Sequence, residues 1–326
     1  MSMNRRHVLA AAAGASIAPL GRAQSPQPRY PDRPVKLIVP FPAGGQTDAA
    51  ARIYAQKLEG LLGQPVIVDN RPGASTVIGT ELVAKSPPDG YTLLLNMTAL
   101  VSNPILLPNV HYDAFRDFVP VARLYSLNGL WAVSANGPKT LAEFIEKAKA
   151  APKPLSFGTT GHGSSSHYFG EVLARTGGFK LVHVPYKGES PIIPDLLSGR
   201  VDAAVISSQA ALTYGKDGRV RVLASTGPTR LKMLPDLPTF EEQGVGGLTQ
   251  ESFCGIFAPA GTPQPIVERL AEAINTAMAM PDVQQRVAGL GVDPPTPLTQ
   301  GQFAATMRKS HNEWLEIRKR SEIRFD

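Results

Sequence analysis

Short apolar runs alternate with amphipathic segments along most of the chain, and that alternation restricts it to an α/β fold with helices packed on a mostly parallel sheet. Residues 35–39 (VKLIV) read as a first buried strand. In 48–62, Ala50, Ile53, Tyr54, Leu58, Leu61 and Leu62 share one helical stripe. Further strands are predicted at 65–70, 91–96, 155–158, 182–184, 203–206 and 220–224, separated by helices. Thr140 with Glu143 forms a capping box for a helix to about Ala150, and Thr299 with Gln302 caps a last helix carrying Phe303, Met307 and Trp314. Between them, Thr262-Pro263 opens a helix with Ile266, Val267, Leu270, Ile274 and Met278 inward.

The N-terminus stands apart from this pattern. Arg5-Arg6-His7, an apolar stretch from Val8 to Leu20 and the small residues of Gly21-Arg22-Ala23 have the layout of an export signal. The stretch is interrupted by Gly14, Ser16 and Pro19 and falls short of the ~20 residues a membrane span needs. Residues 1–23 are therefore expected to be removed near Ala23, giving a periplasmic protein. The paired arginines suit the twin-arginine route, and the basic head alone suits the general one. No cysteine lies near the cut, so no lipid anchor is expected there.

What remains of the 326 residues is enough for about two domains at ~150 residues each. Crossings between them are expected near 124–131 and 250–258. They give a discontinuous first lobe, 24–127 with 253–326, and a second lobe of 128–252. The leader takes three arginines and no acids, so the formal charge falls from +6 to a mild +3, which does not argue for nucleic acid. The basic residues near the C-terminus are interleaved with Glu313, Glu316 and Glu322 and read as a solvated helix face. Cys254 is the only cysteine and is read as a small buried apolar residue.

Two loops carry the strongest chemical signal. Residues 40–48 (PFPAGGQTD) follow the first strand and lead into a helix. Gly44 and Gly45 allow close backbone approach, and a helix start offers free N–H groups that favour an anion. The same segment also reads as an ordinary turn capped by Thr47 or Asp48. It is not a P-loop, because no Gly-Lys-Ser/Thr follows. In the second lobe 157–167 (FGTTGHGSSSH) repeats the arrangement, with Thr159, Ser164, Ser165 and Ser166 adding hydroxyls. Ligands of open α/β sheets sit at the carboxyl ends of strands, where both loops lie. Residues 183–188 (HVPYKG) add Tyr186 and Lys187, which read either as cleft groups or as a surface turn.

Enzyme readings are weak. The Gly-x-Ser-x-Gly register of a nucleophile elbow is absent, and no Ser/His/Asp spacing singles out a triad. His162 and His167, five apart, are expected on different sides of a helix, so with His183 they are not read as metal ligands. No catalytic, metal or cofactor group is assigned.

Together the segments 30–48, 68–74 (VDNRPGA), 88–94 (PDGYTLL), 103–104 (NP), 117–121 (DFVPV), 163–167 (GSSSH), 183–188, 234–239 (LPDLPT) and 258–263 (APAGTP) resemble the Bug-type extracytoplasmic solute receptors of tripartite tricarboxylate transporters. The resemblance implies a two-lobed periplasmic binding protein, type II-like, with two inter-lobe crossings. It also implies a small carboxylated ligand in the cleft and delivery to membrane transporter subunits that this chain does not contain. Carried over, the ligand positions are Phe41, Ala43, Gly44, Gly45, Thr47 and Asp48, then Gly161, Ser164, Ser165, Ser166 and His167, with Thr98, Tyr186 and Lys187 as further candidates. A chain that closes its own cleft is expected to act as a monomer. The same architecture also suits a ligand-loaded co-receptor for a membrane sensor kinase, and less well a periplasmic enzyme. Phe253-Cys254, where many relatives have Trp, and the apolar segment 96–100 (NMTAL) imply an unusually apolar cleft wall.

Overall fold

The computed structural model describes residues 30–250, 252–292 and 296–321, so the leader and its cut lie outside the described residues. The chain begins with strand β1 (Val35–Val39), helix α1 (Gln46–Leu62), β2 (Val66–Asn70), α2 (Val77–Ala84), β3 (Thr92–Met97) and α3 (Ala99–Leu106). The long strand β4 (Phe118–Leu127) is followed after two residues by β5 (Leu130–Ser134). Then come α4 (Leu141–Ala150), β6 (Leu155–Thr159), α5 (Ser165–Gly177), β7 (Leu181–Pro185), α6 (Ile192–Ser198), β8 (Ala203–Ile206), α7 (Ser208–Gly215) and β9 (Val220–Ser225). The chain ends with β10 (Ser252–Pro259), α8 (Gln264–Ala279), α9 (Pro281–Ala288) and α10 (Gln300–Ser321).

These strands form two five-stranded sheets, ordered β2-β1-β3-β10-β4 and β7-β6-β8-β5-β9. In each, the first three are parallel, and the strand next to them, β10 or β5, runs antiparallel to both its neighbours. After β1 the chain pairs first on one side and then on the other, and after β6 it does the same. Both glycine- and serine-rich loops therefore leave their sheets at a point of reversal, where the crevice of such folds opens.

Local chemistry agrees with these elements. Leu37 and Val39 on β1 and Ile53, Tyr54 and Leu58 on α1 bury together in the first core. At α4, Thr140 accepts from the Glu143 amide at 3.1 Å. At α10 the box is reciprocal: Thr299 Oγ1 accepts from Gln302 N, and Thr299 N donates to Gln302 Oε1. Cys254 is fully buried, and burial pushes its thiol up to about 12, so it is inert packing.

The last helix departs from a simple two-lobe division. Phe303 and Met307 of α10 pack in a core under the first sheet, whereas Trp314 belongs to the second lobe's core. Its ring meets Tyr168 edge-on at 5.4 Å and Phe169 at 5.9 Å, both on α5. The expectation that all of 253–326 belongs to the first lobe thus meets a helix that is shared. Trp314→Ala is expected to cost about 3–5 kcal/mol, as for other fully buried aromatic truncations. Urea unfolding followed by circular dichroism measures it, and a loss under ~1 kcal/mol would mean that α10 is dispensable to the second core.

Candidate functional site

Between the lobes lie two adjoining cavities of about 300 and 130 Å³. Phe41, Pro42, Met97, Leu127, Thr160, Ser165 and Ser252 line both. Gly45, Thr47 and Ser166 line the inner, smaller cavity, while Thr98, Gly161, Ser164, Tyr186 and Lys187 line the outer one. The starts of α1 and α5, one from each lobe, thus converge on a single space. The first amides of each helix have no carbonyl partner within it, so both starts present donors and a positive dipole end.

Several expected ligand residues instead support these loops. Asp48 is buried: its carboxylate accepts from the Gly44 amide, Arg52 Nε and Asn70 Nδ2, each at 3.0 Å. Burial alone would raise this carboxyl, but those hydrogen bonds outweigh it and hold the group below its ordinary value. Asn70 also donates to Phe41 O, so Asp48 and Asn70 together fix the loop from behind. Ala43 is exposed and lines neither cavity, and Gly44 opens on an outer groove of about 730 Å³. Thr98 accepts from Phe253 N at 2.9 Å and joins the end of β3 to β10. In the second loop Ser164 Oγ donates to Gly161 O at 2.7 Å, and Ser166 Oγ accepts from Thr160 N at 3.0 Å. Ser165, half-buried and lining both cavities, is the hydroxyl of that run with no hydrogen bond among the described residues.

The apolar wall comes partly from where the sequence placed it. Met97 lines both cavities, but Phe253 and Cys254 are fully buried in the first lobe's cores and line neither. Alternation along β10 carries these two side chains to opposite faces of the sheet, away from the cleft. Sequence reasoning also missed Glu189, Ser190, Ser207 and Ser252, all in the inner cavity. Glu189, Ser190 and Ser207 follow strands in turns and Ser252 opens β10, positions at which a polar residue carries no signal of its own.

His162 and His167, expected on different sides of a helix, are close neighbours of each other and of His183. His162 lies in the loop before α5, not on it, and its ring centroid is 5.1 Å from that of His167. His167 stacks on His183 at 3.5 Å, and all three offer ring nitrogens within 4.8 Å of one another. Commitments already made reduce their use as ligands. His167 Nδ1 accepts from the Gly163 amide at 3.0 Å, which leaves its hydrogen on Nε2, beside Glu171 at 3.6 Å. His183 Nε2 is 2.6 Å from Thr159 Oγ1. Burial, with the charges of His167 and His162, pushes His183 down to about 4, so it is neutral at neutral pH.

The lobes touch across the mouth of the cleft. A Cβ on Gly188 would lie 2.5 Å from Pro42 Cδ, and one on Gly161 would lie 2.6 Å from Ser75 Oγ. Ser75 Oγ donates to His162 O at 2.7 Å, a hydrogen bond between lobes. It comes from Ala74, Ser75 and Thr76, whose φ values of 44°, 51° and 82° are costly for side-chain-bearing residues. Asn103 Nδ2 holds that turn through Ser75 O at 2.6 Å and Thr76 Oγ1 at 3.2 Å.

Comparison with known proteins places this geometry. The tripartite tricarboxylate transporter family receptor profile matches residues 50–321. A UPF0065 protein in the tcbD-tcbE intergenic region of Pseudomonas sp. strain P51 is 41% identical over 295 residues, covering 89% of this chain and 87% of its own. The periplasmic binding protein BugD superposes with a TM-score of 0.84 at 32% identity, covering 90% of this chain and 99% of its own. MatC of Rhodopseudomonas palustris, solved with bound malate, gives 0.83 at 30%, with 88% and 99% covered. The family and these structural neighbours are solute-binding receptors, not enzymes, and MatC holds a carboxylate, malate. The chain belongs to the tripartite tricarboxylate transporter receptor family.

Proposed function

We propose that this chain captures a small carboxylated metabolite in the inter-lobe cleft and delivers it to the membrane subunits of a tripartite tricarboxylate-type transporter. The observation that carries this reading is the convergence of two helix starts, α1 and α5, on one cavity whose inner part is lined by no lysine or arginine among the described residues. Phe41, Gly45, Thr47, Ser165 and Ser166 are the contacts we assign to the ligand, with Gly161, Ser164, Tyr186 and Lys187 at its outer end. Asp48, Thr98 and His167 act through the loops they hold. We take 24–127 with 253–326 as one lobe and 128–252 as the other, with α10 reaching across so that Trp314 packs in the second. In support, β4 ends at Leu127, β5 opens the second sheet at Leu130, and Ser252 pairs back to Leu127. The protein works as a periplasmic monomer, exported by the twin-arginine or the general route and cut near Ala23. Among the described residues no helix is long and apolar enough to cross a membrane.

Small-angle scattering tests the reading. Adding the carboxylate that most raises the melting temperature is expected to lower the radius of gyration, because hinged lobes close around ligand. Mass spectrometry after incubation should recover that compound unchanged. An unaltered radius, or turnover of the compound, would sink the receptor reading.

A further inference from the structure

Among the described residues, one ionisable side chain lines the inner cavity, and it is an acid. Glu189, half-buried, lies just before α6 and lines the cavity beside Gly45 and Ser165, on opposite lobes. Its Oε1 accepts from the Ser207 amide, and its main-chain carbonyl accepts from Ile192 N at 2.8 Å, so the residue is held at both ends. Among the described residues it forms no ion pair. Arg219 lines the outer groove that Glu189 also borders, but its guanidinium lies 5.5 Å from the Tyr214 ring centroid, over the ring face. Burial raises the Glu189 carboxyl above its ordinary value, and the Ser207 hydrogen bonds offset this only in part.

A carboxylate removed from water without a counter-charge is costly, and a partner cation relieves that cost. Among the described residues no cation faces it, and a cationic group on the ligand would supply one. A second ligand carboxylate in the same place would add like charge in a space of about 130 Å³. We propose that the ligand is an amino carboxylate, with its carboxylate on the starts of α1 and α5 and its ammonium on Glu189. This rests on the receptor reading and narrows it: Glu189 selects for a cationic nitrogen within a few bonds of the carboxylate.

The test is a melting-shift and calorimetric screen of the full mature protein. The probes are short-chain carboxylates, each as the plain monoacid, the diacid and the amino acid of equal length. An amino carboxylate should give the largest shift, and its affinity should fall at least roughly tenfold in Glu189→Gln. The glutamine keeps an acceptor for Ser207, and its unliganded melting point checks the fold. If Glu189→Gln does not fold, the wild-type ranking alone decides. Monoacids or diacids outranking every amino counterpart, or an unchanged amino-acid affinity in folded Glu189→Gln, overturns the inference and leaves the carboxylate receptor standing. If no carboxylate of any kind binds, both readings fall.

Discussion

Gly188→Ala is expected to weaken ligand binding by roughly 100-fold, about 2.7 kcal/mol. The added methyl would sit 2.5 Å from Pro42 Cδ on the opposite lobe, a distance that neither backbone can accept. With φ at +108°, Gly188 also adopts a conformation that alanine enters only with strain of about 1–3 kcal/mol. That strain acts within the second lobe, whereas the clash acts between lobes, and two measurements separate them. Strain lowers the unliganded melting temperature. The clash leaves scattering by the liganded variant at the open radius of gyration, where the wild type contracts. A variant that contracts and binds normally would show that the lobes do not close on Gly188 and Pro42. The same closing surface includes Gly161 and Ser75, where the interlobe hydrogen bond to His162 O lies.

Replacing the ligand carboxylate by its primary amide is expected to weaken binding by about 1000-fold or more. Each charge-assisted hydrogen bond contributes ~1.5–3 kcal/mol, and the amide both loses the charge and turns an NH₂ toward the donors of α1 and α5. Lys187 is exposed, at the outer cavity, while among the described residues no lysine or arginine lines the inner one. Lys187→Met should therefore cost less than about tenfold, and affinity should change little between low and moderate salt, since buried donors are weakly screened. A steep salt dependence with a large loss in Lys187→Met would replace the helix starts with a lysine clamp. Isothermal titration of wild type and variant against acid and amide reads all of these outcomes.

Much of this was legible from local pattern. β1, α1 and the loop between them are encoded within a few residues of one another, as are β6, its loop and α5, so periodicity and caps found them. β4 and β10 show in the sequence only as extended crossings, because Pro120, Arg123 and Ser126 blur the alternation of β4 and its strand character comes from a partner over 100 residues away. The histidine cluster was misjudged by treating Gly161 to Ser164 as helix, when the turn before α5 brings His162 back over His167. Asp48 and Thr98 lie next to the cleft in sequence, yet their side chains are spent on Arg52, Asn70 and Phe253. Glu189 had no signal at all: a glutamate after Gly188 in a turn reads as solvated until the Ser207 amide is seen against it.

The order β2-β1-β3-β10-β4 also governs how the chain is completed. β4 touches β10 and no other strand of its sheet, so its ten residues stay unpaired until Ser252–Pro259 arrives. The second sheet needs only β5 to β9, a continuous stretch ending at Ser225. Until the last third of the chain is in place, the first lobe displays a long bare strand edge, the kind of surface that recruits other chains.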